Sequence, residues 1–167
     1  MKISKQGLDL IKHFEGLHDG DLSEIGLQPK MCPAGIWTVG WGYALVNKST
    51  GKWLRGREDY NLIEKQYPEY SNMTIQEADD LLEKVLIKYE KIVNDKIRVT
   101  ISQNKFDALV SHTYNTGGSD TLFKLVNDGN IEGAARWIES RYITSGGKVL
   151  PGLVKRRKAE SVLFLKN

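Results

Sequence analysis

Along most of the chain apolar residues recur every three or four positions, and one stretch near the N-terminus breaks that rhythm. Leu8, Ile11 and Phe14, with Leu10 beside them, predict a helix that opens on Ser4 as N-cap and stops at Gly16. Thr74-Ile75-Gln76-Glu77 is a capping box, and Leu81, Leu82, Val85, Leu86, Tyr89, Ile92 and Val93 carry the helix after it to about Asp95. Ser102 starts another through Phe106, Leu109, Val110 and Tyr114, stopped by Gly117-Gly118. Asp120 to Val126 and Ile131 to Tyr142 read as two more, the second holding Ala134, Ala135, Trp137 and Ile138. After a turn at Gly146-Gly147, Pro151 opens a last helix whose apolar side comes from Leu153, Val154 and the run Ala159 to Leu165.

The exception runs from Met31 to Leu45. Behind a Pro33-Ala34-Gly35 turn, Ile36, Trp37, Thr38, Val39 and Trp41 are β-branched or aromatic and are interrupted by glycines, which predicts a short hairpin. Leu17 to Lys30 reads as an irregular loop, either a solvated insertion or a flap over a substrate. Asn47 to Lys52 reads as a turn, and Trp53-Leu54 as a short extended return. Arg55 to Asn72 is polar, with a short helix around Glu58 to Tyr67 before Pro68.

Composition narrows the classes. With 167 residues, 40% hydrophobic and 27% charged, the chain suits one globular domain or two small lobes sharing a helix. No apolar run approaches the roughly 20 residues that span a bilayer, and Met1 to Gly7 lacks the apolar core of a signal peptide, so the expected location is the cytoplasm. One cysteine excludes an internal disulfide. The net charge of +3 is concentrated from Arg141 to Asn167, where seven cations face Glu160 alone. Such a patch suits nucleic acid, anionic lipid or an anionic wall polymer, and its sign does not choose among them. His112 has no second His, Cys or acid at metal-ligand spacing and reads as structural or surface.

Candidate chemistry gathers where the patterns meet. Glu15 ends the first helix, where the negative end of the helix dipole favours a proton on the carboxyl, and the hairpin beyond carries the Cys32 thiol and the Thr38 hydroxyl. On residue type alone, a Glu before Gly is most often a solvated charge and a lone Cys a small buried hydrophobe.

Phe14-Glu15-Gly16, followed by Cys32-Pro33-Ala34-Gly35-Ile36-Trp37-Thr38-Val39-Gly40-Trp41-Gly42, resembles the signature of the phage-type lysozymes, the muramidases of glycoside hydrolase family 24. Tyr114-Asn115-Thr116-Gly117 and the segment Gly146 to Arg157, with Ala159-Glu160, resemble that family's C-terminal lobe, so the likeness covers nearly the whole chain. It implies a catalytic triad of a Glu, an Asp or in some members a Cys, and a Thr six positions later, matched here by Glu15, Cys32 and Thr38. Asp19, Asp21 and Glu24, in a segment longer than the family's, compete for the second role, but only Cys32 keeps the spacing to Thr38. As substrate-binding or supporting residues the likeness points to Tyr43, where relatives often carry His, to Asn115, and to Arg156, where relatives pair an arginine with the catalytic Glu. A thiol is mostly protonated near neutral pH, so Cys32 as a base needs a cationic or dipolar neighbour.

The implied fold is α+β and lysozyme-like, a single domain over 1–167. Its N-terminal lobe with a β-hairpin sheet covers about 14–73, a bridging helix about 74–95, and a mainly helical C-terminal lobe about 96–167, with the first helix, 4–15, packing on that lobe. The implied activity is that of an endolysin that hydrolyses the β-1,4 bond between N-acetylmuramic acid and N-acetylglucosamine in bacterial peptidoglycan, without metal or cofactor. It would act as a monomer, without nucleic acid, released from the host cytoplasm by a holin-type membrane protein. Two other readings are a lytic transglycosylase that cuts the same bond with the sugar's own hydroxyl, and a wall-binding module without catalysis. A nucleic-acid binder is disfavoured, because no reading helix or aromatic platform accompanies the basic tail.

Overall fold

The computed structural model describes residues 1–167 as a mixed α+β chain with seven α-helices and two small sheets. It divides into two compact units, Glu15–Lys84, and Met1–Phe14 with Val85–Asn167.

The unit Glu15–Lys84 is built on a three-stranded antiparallel sheet of β1 (Lys30–Met31), β2 (Trp37–Val39) and β3 (Tyr43–Ala44) in sequential order. Lys30 pairs with Thr38 and Met31 with Trp37, then Thr38 with Ala44 and Val39 with Tyr43. Single bridges from Ile36 to Arg55 and from Val46 to Trp53 bring the expected extended return alongside. Leu45, Leu54, Val39 and Ile63 form the core beneath, the last from α2 (Tyr60–Gln66). A 3-10 turn, Pro68–Tyr70, follows, which the sequence pattern left irregular. The loop from Leu17 to Lys30 is pinned by backbone bonds at three levels. His18 N–H donates to Gly40 at 2.8 Å and Gly20 N–H to Gln28 at 3.0 Å, while Leu27 and Met73 exchange bonds of 2.7 and 2.9 Å.

α3 (Ile75–Lys96) begins in this unit and ends in the other. Its capping box is formed as the sequence predicts: Glu77 Oε2 accepts from Thr74 N–H at 2.8 Å, and Thr74 Oγ1 accepts from Glu77 N–H at 3.1 Å.

In the unit Met1–Phe14 with Val85–Asn167, α1 (Lys5–Glu15) contributes all but its last residue and starts beside α4 (Gln103–Thr116). Asp107 on α4 accepts from Ser4 N–H at 3.0 Å and from Gln103 Nε2 at 2.8 Å. Gly7 is required there, because a Cβ would lie 2.9 Å from the Asp107 Cβ. α4 is capped by Ser102, ends at a left-handed Gly117, and is buried along Phe106 to Thr113. α5 (Asp120–Asn127) packs on α6 (Ile131–Ser140), and α7 (Pro151–Leu165) packs on both α4 and α6.

Two expectations change. The Gly146-Gly147 turn joins two strands, β4 (Thr144–Ser145) and β5 (Lys148–Val149), in a small antiparallel hairpin, a link the Gly-Gly pair signals. The basic C-terminal stretch is also less basic at its surface than its charge count suggests. Arg156, Arg157 and Glu160 are all buried, leaving Arg141, Lys148, Lys155, Lys158 and Lys166 exposed.

His112 lies fully buried on α4, its Nε2 without a partner and its Nδ1 3.3 Å from Thr116 Oγ1. Burial first, and then the Arg157 and Arg156 charges, push its pKa down to about 3. The unfolded chain gains a proton here below about pH 6.5 and the folded chain only near 3, so His112 lowers stability as pH falls between those values. The expected slope is at most about 1.4 kcal/mol per pH unit. Urea titrations from pH 7 to 4 on the wild type and His112→Phe check this, since the variant should lose that share of the slope.

Candidate active site

Glu15 is the last residue of α1, and the left-handed Gly16 (φ 73°) turns the chain away. Three residues on, His18 pairs with Gly40 at the end of β2, which carries the acid against the Gly40-Trp41-Gly42 turn. The contact is close, since a Cβ built on Gly42 would lie 3.1 Å from Glu15 Oε2 and 3.8 Å from His18 Cε1. Gly40 is equally constrained, with Ala78 of α3 3.1 Å from its Cβ position. Trp41 Nε1 donates to Asp79 of α3 at 2.7 Å and anchors the turn between the two glycines.

The sheet register orders the rest. Thr38 stands opposite Lys30, and Cys32, two residues beyond Lys30, bonds across to Ile36 through its N–H at 2.8 Å. Strand alternation therefore puts Cys32 and Thr38 on one face as diagonal neighbours. Thr38 is buried and its hydroxyl donates to the Lys30 carbonyl at 2.8 Å, which leaves its oxygen lone pairs as acceptors. Cys32 is a free, half-buried thiol. Tyr43 stands opposite Val39 and so takes the other face, edge-on to Tyr70 at 6.2 Å, which stacks on Tyr67 at 5.7 Å. The register thus unites Cys32 and Thr38 and separates Tyr43 from them.

Of the competing loop acids, Asp19 is engaged through Oδ1 by the N–H groups of Asp21 and Gln28, each at 3.2 Å. Asp21 accepts from Ser23 N–H at 2.9 Å and from Ser23 Oγ at 2.6 Å, while Glu24 is exposed. No group of three or more His, Cys, Asp or Glu side chains is gathered at a metal-binding geometry.

Arg156 belongs to a buried polar cluster in the other unit, and the exposed Asn115 lies at its edge. Glu160 Oε1 accepts from Arg156 Nε at 3.1 Å and from Ser111 Oγ at 2.7 Å. Its Oε2 accepts from Arg157, which also donates to Asn115 Oδ1. The Arg156 guanidinium lies 5.8 Å from the Phe14 ring centre. Burial pulls Arg157 below the usual arginine range, with Glu160 opposing. Both arginines are buried, so neither contributes to a basic solvent face. His18 and Asp79 were not singled out from the sequence, and Trp41 and Gly42 entered only as part of the hairpin and the family signature, although the Gly-x-Gly spacing was a usable signal for the turn.

Gly42→Ala tests the packing on Glu15. The substitution strains a residue at φ 81° and crowds the carboxylate, whereas Gly51→Ala, at φ 69° with nothing within 4 Å, carries the strain alone. Turnover should fall about tenfold in Gly42→Ala and stay near wild type in Gly51→Ala, with both losing about 1 kcal/mol of stability in thermal melts.

Comparison with known proteins places this geometry. A family model described as phage lysozyme matches residues 12–160. The chain is 31% identical over 172 residues to an endolysin of Acyrthosiphon pisum secondary endosymbiont phage 1, covering 98% of each. It is 32% identical to the endolysin of Bacillus phage PZA, covering 98% of this chain but 55% of that one. The solved structure of an endolysin from Escherichia coli O157:H7 phage FAHEc1 superposes with a TM-score of 0.72 at 32% identity, over 99% of this chain and 94% of that one. With the match running from the end of α1 into α7, the chain belongs to the phage lysozyme family, and its fold is the lysozyme-like one of its structural neighbours.

Proposed function

We propose that the protein cuts the β-1,4 bond between N-acetylmuramic acid and N-acetylglucosamine, with Glu15 as general acid. The family makes it a peptidoglycan-hydrolysing endolysin, a glycoside hydrolase of the lysozyme type. The observation that carries the residue assignment is the seating of the Glu15 carboxylate on the Gly42 turn, at the end of the strand that bears Thr38.

In this reading Glu15 gives its proton to the leaving glycosidic oxygen. Thr38 holds a water through its free lone pairs, and Cys32, on the same strand face, serves as base or as electrostatic partner to the developing oxocarbenium. Tyr43, Asn115 and Arg156 are proposed as supporting residues, and residues 74–95 as a helix bridging an N-terminal lobe of 14–73 and a C-terminal lobe of 96–167. No helix is long and apolar enough to cross a membrane. Activity as a monomer and release from the host cytoplasm by a holin-type partner complete the proposal.

Cys32 variants test the mechanism. Cys32→Ala should lose about a hundredfold in turnover on purified peptidoglycan, and Cys32→Asp, which restores an acid, should recover most of it. Full turnover by Cys32→Ala would leave Glu15 as the single acid, the pattern of a lytic transglycosylase.

A further inference from the structure

The strand face that carries Met31 and Trp37, opposite to that of Cys32 and Thr38, borders a cavity of about 480 Å³. Its chemistry comes from Asp21, Glu24 and Gln28 of the loop and from Trp37 and Tyr60. That volume lies within the roughly 300–1,000 Å³ of small-ligand sites.

The walls are preformed. Besides its backbone pins, the loop closes at Gly20, where a Cβ would lie 2.1 Å from the Pro29 carbonyl oxygen. Ser23 N–H and Oγ hold the Asp21 carboxyl below its usual range, so Asp21 stays charged at neutral pH. Glu24 N–H bonds to the Asp21 carbonyl at 3.2 Å, which keeps the two acids on one turn. The Trp37 indole N–H is occupied by the Gly56 carbonyl at 2.6 Å, so the ring is fixed. Tyr60 stands 5.2 Å away at 56° to it.

Two tilted aromatic rings and two carboxylates lining one cavity are a combination suited to an ammonium group on a hydrocarbon stem. A sugar ring asks instead for one broad parallel face, and an anion would be repelled.

We propose that this cavity binds the ammonium-bearing end of the diamino acid in a peptidoglycan stem peptide. Asp21 and Glu24 meet the ammonium, and Trp37 and Tyr60 its methylene stem. The proposal rests on the peptidoglycan reading and adds a second foothold on the polymer, on the strand face turned away from the proposed bond cleavage.

The test is an NMR titration of the ¹⁵N-labelled full chain with three probes. These are a stem tripeptide ending in meso-diaminopimelate, the same peptide acetylated on its side-chain amine, and a fully N-acetylated glycan tetramer without peptide. The free tripeptide should shift the Trp37 indole and the Gly20 and Glu24 amides, with acetylation weakening binding by about fivefold or more. The Asp21→Asn/Glu24→Gln double variant should weaken binding similarly and still cut peptide-free glycan at the wild-type rate. Equal binding of the acetylated peptide, occupancy of these residues by the glycan tetramer, or no shift with free tripeptide would each overturn the proposal. Tripeptide binding by a wild type that leaves glycan uncut would instead count against the muramidase reading.

Discussion

Glu15→Gln should lower turnover on purified peptidoglycan by about a thousandfold or more while leaving the fold intact. A glycosidic oxygen leaves slowly unless it is protonated as the bond breaks, and a positioned acid contributes roughly 10²–10⁴ in rate. The amide matches the carboxyl in shape, so it keeps the packing on Gly42 but has no acidic proton to give. Glu15 is half-exposed at a helix end, so the melting temperature should move by no more than a few degrees. Initial rates with a thermal melt on the same preparation check both halves. A variant with rates within tenfold of wild type would remove Glu15 from the chemistry.

The largest effect on stability is expected at Glu160. Its carboxylate is fully buried between Arg156 and Arg157 and also accepts from Ser111. Replacing one partner of a buried ion pair strands the other charge in a medium that solvates it poorly, at a cost of about 3–5 kcal/mol. Glu160→Gln strands two guanidinium groups at nearly constant volume. For a chain of this size that corresponds to a fall in Tm of about 10 °C. Differential scanning calorimetry at pH 7 measures it, and a change under 2 °C would mean that water reaches the cluster. The neutral state of His112 belongs to the same account, since burial first and then the two nearby buried cations oppose a third charge.

Local signals read well from the sequence because they depend on near neighbours. Ser102 before α4, the Thr74–Glu77 capping box and Gly117 after Thr116 all appear with the bonds their residue types predict. The hairpin was legible from its β-branched and aromatic run, and the family spacing singled out Cys32 and Thr38, whose common strand face only the register shows. What stayed hidden depends on distant partners. Arg156, Arg157 and Glu160 lie three and four positions apart, a spacing shared by exposed helix faces, and only the packing of α7 on α4 and α6 turns them inward. The loop from Leu17 to Lys30 read as irregular because its pins, Gly40 and Met73, are remote in sequence. The place of Tyr43 on the face opposite Thr38 follows from a register that residue types do not state.

The central claim is a Glu15-dependent hydrolysis of the glycan, and the mass spectrum of the soluble fragments released from purified peptidoglycan, with Glu15→Gln as the blank, tests it most directly. The expected fragments end in a hydrated, reducing muramic acid and are absent with the variant. Fragments lighter by one water, or the same fragments released by Glu15→Gln, would contradict it.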